Sequence, residues 1–102
     1  MNIVRPFFAR AKVQPWLPAI TFNQKSITYG ELAEGSGRLA TAMVTDISLK
    51  PRDRVVIYME NNAHYLQVLL ATWTAGLSAV PVNVKLHPKE VVGIAEECRA
   101  SA

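Results

Sequence analysis

The sequence predicts an α/β fold: a small, partly parallel sheet with an N-terminal hairpin and about three helices. Three observations support this. Arg54–Met59 (RVVIYM), Asn62–Gly76 and Ser78–Asn83 (SAVPVN) read in turn as strand, helix and strand, and Pro88–Cys98 opens another helix. Val55–Tyr58 are four consecutive apolar residues, the habit of a parallel strand covered on both faces. A strand–helix–strand unit of about 30 residues is almost always a right-handed parallel crossover.

Residues 1–17 are expected to be irregular to weakly helical, an anchoring arm docked by Phe7, Phe8, Val13, Trp16 and Leu17. Pro15 and Pro18 stop any helix and favour an extended segment. Ala19–Phe22 and Ser26–Thr28 flank the polar turn Asn23–Lys25 and suggest a hairpin. Thr28 is an N-cap, and Glu31 three residues later completes a capping box. Leu32, Ser36, Leu39 and Met43 then recur at helical spacing, widened by Ala33, Ala40 and Val44. Glu34 and Arg38 form an i,i+4 pair on the opposite face. This helix ends near Thr45–Asp46, and Gly30, Gly35 and Gly37 imply close packing against a neighbour. Ser48–Asp53 is a turn.

Asn61 or Asn62 caps the next helix, on which His64, Gln67, Ala71 and Thr74 share one side. Leu66, Leu69, Leu70 and Trp73 fill most of the rest, so this helix expects cover on more than one side. Gly76 is its C′ residue, and His87 followed by Pro88 caps the last helix.

One domain is the natural reading of 102 residues, half of them apolar, with a net charge of +3. The densest basic group, Lys50, Arg52 and Arg54, encloses Asp53 and reads as a solvated strand entry. No basic stripe or recognisable module argues for nucleic-acid binding. The single cysteine, Cys98, shares a helix side with Val91 and Ala95 and reads as a small buried hydrophobe. Internal disulfides are excluded, and a cytoplasmic location is expected. The longest apolar stretch, Tyr65–Val80, is interrupted and shorter than the roughly 20 residues a membrane span requires. The N-terminus lacks the long apolar run of a secretory signal.

Chemical motifs are sparse. Gly35-Ser36-Gly37-Arg38-Leu39-Ala40 satisfies G-x-G-x-x-A, and Glu60 ends the next strand. The dinucleotide fingerprint needs a strand running directly into the first glycine, whereas Gly35 lies about two turns inside a capped helix. His64 and His87 lack metal-ligand spacing, and Glu96 and Glu97 point apart on a helix. Trp16, Trp73, Tyr58 and Tyr65 read as core or interface aromatics.

The ordered string Pro18-Ala19-Ile20, Ile27-Thr28-Tyr29-Gly30-Glu31-Leu32 and Arg38-Leu39-Ala40 resembles the start of the adenylate-forming (AMP-binding) superfamily. Lys50-Pro51-Arg52-Asp53-Arg54-Val55, an asparagine at 61 or 62, Ala71–Gly76, Ala79–Asn83 and Glu90 continue the resemblance. It runs from about Pro18 to Ala102 and is closest to a bacterial acyl-CoA synthetase, or fatty-acid–CoA ligase. Arg52 departs from it, standing where the family usually has glycine and straining the turn.

The resemblance implies an N-terminal arm at 1–17 and, over 18–102, a truncated piece of the family's large N-terminal domain. It implies that a full-length parent joins a carboxylate to ATP as an acyl-adenylate, then to coenzyme A, with magnesium on the phosphates. The family's phosphate loop, adenine contacts and catalytic lysine lie downstream, so no catalytic, cofactor-binding or metal-binding residue is assigned to this chain. The chain alone is expected to be inactive. A self-associating interaction module is the alternative, with Val55–Tyr58, Leu66, Leu69, Leu70 and Trp73 as its exposed apolar surface.

Overall fold

A computed structural model describes residues 4–60 and 63–102. In chain order the elements are α1 (Val4–Val13), β1 (Pro18–Phe22), β2 (Lys25–Thr28), α2 (Tyr29–Thr45), β3 (Arg54–Ile57), α3 (Ala63–Thr74), β4 (Ser78–Pro81) and α4 (Pro88–Glu97). The fold class is the expected one, with four helices and two separate two-stranded sheets among the described residues.

α1 occupies the segment expected to be irregular to weakly helical and is a regular helix of 10 residues. Val4, Phe7, Phe8 and Ala11 fall at helical spacing and turn inward, with Ala11 buried and the others half-buried. Pro6 sits in the first turn, where a missing N–H breaks no helical bond. The Phe7 ring lies 5.8 Å from that of Tyr29, which ties the helix to the start of α2. Val13 and Trp16, expected to dock, are instead 70% and 66% exposed.

β1 and β2 pair antiparallel, joined by Asn23 and Gln24 alone; both have positive φ (51° and 66°), as a twisted two-residue hairpin loop requires. Lys25, expected in the turn, therefore belongs to the strand. Thr28 caps α2 as predicted. Its hydroxyl accepts from Glu31 N–H at 3.1 Å, and its own N–H donates to Glu31 Oε1 at 3.0 Å.

β3 and β4 pair parallel, Arg54 opposite Ser78 through Ile57 opposite Pro81. β4 ends at Pro81, two residues earlier than the sequence suggested. α3 crosses between the strands and ends in a Schellman motif: Gly76 (φ 77°) donates to Trp73 O at 3.0 Å, and Leu77 N–H donates to Thr72 O at 2.9 Å. The expected Asn61 or Asn62 cap lies outside the described residues.

The core joins α2, α3 and the parallel strands through Ala40, Met43, Leu49, Val55, Ala71 and Leu77. Ala71 and Thr72 are fully buried, so the α3 side that carries Ala71 packs inward. Gln67, on that same side, packs against Gly35 of α2. Val55, Ile57 and Leu70, expected as exposed apolar surface, are buried within the chain, and Leu66, Leu69 and Trp73 are half-buried.

On its other edge β3 meets the last residues of the chain. Ser101 N–H donates to Arg54 O at 2.8 Å, and Val56 N–H donates to Ala102 O at 2.8 Å. The Arg54 guanidinium donates to Cys98 O at 2.9 Å, holding the C-terminal end of α4 against β3.

Candidate functional site

Parallel sheets present ligand sites beyond the carboxyl ends of their strands. Here β3 and β4 end beside a concavity of about 310 Å³ lined by Met59, Tyr65, Val82, Asn83 and Val84. Val82 N–H donates to Ile57 O at 2.9 Å and extends the parallel pairing up to this rim. Asn83 Oδ1 accepts from Lys85 N–H at 2.9 Å, which orients the amide and fixes the turn after β4. Tyr58 donates its hydroxyl to Leu86 O at 2.7 Å and braces the same loop. The walls are mainly apolar, with the polar groups at the rim. The site can hold an apolar group, and Tyr65 and Asn83 are the described lining residues that bear a side-chain O–H or N–H.

A larger open groove of about 580 Å³ runs along α2 and α3, lined by Glu31, Glu34, Gly35, Arg38, Leu39 and Gln67. Its charged groups are engaged locally. Glu34 pairs with Arg38, and Glu31 is committed to the capping box. The Thr28 backbone N–H, and then its hydroxyl, hold the Glu31 carboxyl below the usual carboxylate range.

Gly35 and Gly37 lie inside α2, where main-chain N–H groups are spent on the helix, so the glycine pair offers no amide cradle for a phosphate. Gly35 serves packing instead: a Cβ there would lie 2.9 Å from Gln67 Cδ. At Gly30 a Cβ would meet a stiffer neighbour, with Pro15 Cβ 3.0 Å and the backbone Pro15 O 3.2 Å from that position. Gly37 is not a packing glycine, since a Cβ there meets nothing within 4 Å.

His87 is the α4 cap, its Nδ1 accepting from Lys89 N–H at 3.1 Å, and His64 is exposed on α3. Cys98 is half-buried, its Sγ 3.6 Å from Ala95 O. Among the described residues no group of three or more His, Cys, Asp or Glu could hold a metal ion, and no helix is long and apolar enough to cross a membrane.

Sequence reasoning missed the strand-end concavity. Its lining comes from two strand exits and the start of α3, and no local pattern marks that convergence. Only the predicted parallel crossover signalled where to look.

The family model described as "AMP-binding enzyme" matches residues 7–102. The chain belongs to the AMP-binding enzyme family. A fatty acid–[acyl-carrier-protein] ligase of Streptomyces coeruleorubidus is 32% identical over 96 residues, covering 94% of this chain and 18% of the ligase. An N-(5-amino-5-carboxypentanoyl)-L-cysteinyl-D-valine synthase of Penicillium rubens is 28% identical over the same length, covering 94% of this chain and 3% of the synthase. Among solved structures, the N-terminal subdomain of Klebsiella oxytoca NpsA, in complex with 3-hydroxyanthranilyl-AMSN, superposes with a TM-score of 0.85 at 28% identity, covering 96% of this chain and 25% of that one. The O-succinylbenzoate coenzyme A synthetase of Bacillus subtilis, in complex with AMP, gives 0.81 at 26% identity, covering 92% and 24%. This AMP-binding chain thus spans about a quarter or less of these relatives.

Proposed function

We propose that the chain is the N-terminal scaffold portion of an ATP-dependent acid–thiol ligase, closest in kind to an acyl-CoA synthetase. The parent activates a carboxylic acid as its acyl-adenylate and passes the acyl group to coenzyme A. The observation that carries this reading is that nearly the whole chain superposes on a quarter of an adenylate-forming N-terminal subdomain. Relatives that load a carrier protein or build peptides share the scaffold, so thiol identity rests on the sequence string described above.

The 102-residue chain alone is inactive and binds no ATP, magnesium or coenzyme A tightly. Its α2 glycines are helix-bound, and its charged groove side chains are already paired. The test is acid-dependent release of pyrophosphate by the pure chain with magnesium–ATP and a panel of fatty and aromatic acids. No release above buffer is expected, and turnover that depends on both acid and chain would overturn the reading.

Exposed apolar side chains favour a second reading, self-association with two-fold symmetry. Ile47 and Val92 are each more than half exposed. Light scattering across a concentration series should show a dimer. A clean monomer at high concentration would exclude it.

A further inference from the structure

The outer face of α1 brings basic and apolar side chains together. At 100° per residue, Pro6, Ala9 and Val13 form one solvent-facing stripe, with Arg5 and Lys12 along one flank and Arg10 along the other. All six are exposed, and the turn that follows carries Trp16. Charge follows the same asymmetry. Residues 1–30 hold four basic side chains and no acidic one, whereas the rest of the chain holds seven basic against eight acidic. Arg10 also donates to Gln14 Oε1 at 2.9 Å, which steadies its stem along the helix without neutralising it.

We propose that this face of α1 with Trp16 is a peripheral docking surface for an anionic phospholipid bilayer. A narrow apolar stripe dips only to headgroup depth, and long basic side chains on both flanks reach back to lipid phosphates. An exposed tryptophan suits that boundary, with an apolar ring and one polar N–H. Binding is weak and reversible, because three charges beside a short apolar stripe and one tryptophan make one modest signal. The proposal does not depend on the ligase reading.

The test is co-sedimentation of the full 102-residue chain with vesicles of phosphatidylglycerol and phosphatidylcholine, against vesicles of phosphatidylcholine alone. Sedimentation is expected with the anionic vesicles only, and high salt should abolish it. Arg5→Gln and Lys12→Gln should each weaken binding about fivefold, the effect of one surface charge beside an anionic leaflet. Trp16→Ala should weaken it further, and unchanged circular dichroism confirms that each variant still folds. The proposal is overturned if the wild type ignores anionic vesicles, or binds both vesicle types equally. Wild-type affinity in an Arg5→Gln, Arg10→Gln, Lys12→Gln triple variant also overturns it, as does capture of the chain from vesicles by duplex DNA or polyglutamate.

Discussion

Replacing Arg52 with glycine should stabilise this protein. Arg52 is the third residue of the Lys50–Asp53 turn and sits at φ 71°, a left-handed conformation. The turn is closed by Asp53 N–H donating to Lys50 O at 3.0 Å and by Lys50 N–H donating to Asp53 Oδ2 at 2.8 Å. Arg52 N–H also donates to Gly76 O at 2.9 Å, so the strained residue links the turn before β3 to the one before β4. The turn cannot relax without losing that link.

A left-handed residue with a Cβ costs about 1–2 kcal/mol. Glycine removes that cost but adds unfolded-chain entropy of about 0.4–1 kcal/mol. The balance for Arg52→Gly is a gain of about 0.5–1 kcal/mol, which raises Tm by roughly 2–8 °C in a domain of this size. Urea denaturation should show a higher midpoint at unchanged slope. Arg52→Gln keeps the Cβ and removes the charge, so it should match the wild type within about 0.5 kcal/mol. Arg52→Val should lose stability, because a β-branched residue fits a left-handed conformation worst. The reasoning fails if Arg52→Gly is no more stable than Arg52→Gln.

Three further outcomes follow from the same packing. Ser36 is fully buried on α2 with its hydroxyl unbonded, so Ser36→Ala should be neutral or stabilising by about 1 kcal/mol in thermal unfolding, and a clear loss would mean that the hydroxyl has a partner. Gly37→Ala fills open space on a helix and should gain about 1 kcal/mol, while Gly30→Ala drives a Cβ against Pro15 and should lose stability; matched urea curves separate the two. The Glu31 carboxyl has a lowered pKa in the folded state, so its stabilising effect is complete above its ordinary value of 4.5 and fades as pH falls through the depressed one. Acid titration of Glu31→Gln should accordingly show a shallower loss below about pH 4.5 than the wild type, and identical acid limbs would remove the capping box from the account.

Much of this fold was legible where one residue settles a local choice. Thr28 with Glu31, Gly76, and His87 with Pro88 each fix a helix end by satisfying main-chain groups within a few residues, and the structure places all three caps as read. α1 is more regular than the irregular to weakly helical arm expected, and Pro6 falls in its first turn, where it does no harm. The hairpin loop was read one residue too long because Gln24 is an unusual residue at positive φ. The strained Arg52 was legible through the family resemblance, since glycine is usual there. Burial of Val55 and Ile57 agrees with the reading of β3 as a strand covered on both faces, and it removes these two and Leu70 from the exposed surface that the self-association alternative gave them. The strand-end concavity needed the parallel register of β3 and β4 before its lining residues could be brought together.

The most direct test of the account is an amide nuclear magnetic resonance spectrum of the isolated chain, titrated with magnesium–ATP. A folded scaffold without a grip on triphosphate predicts well-dispersed signals that stay in place throughout. Saturable shifts converging on a cluster of main-chain amides would contradict it.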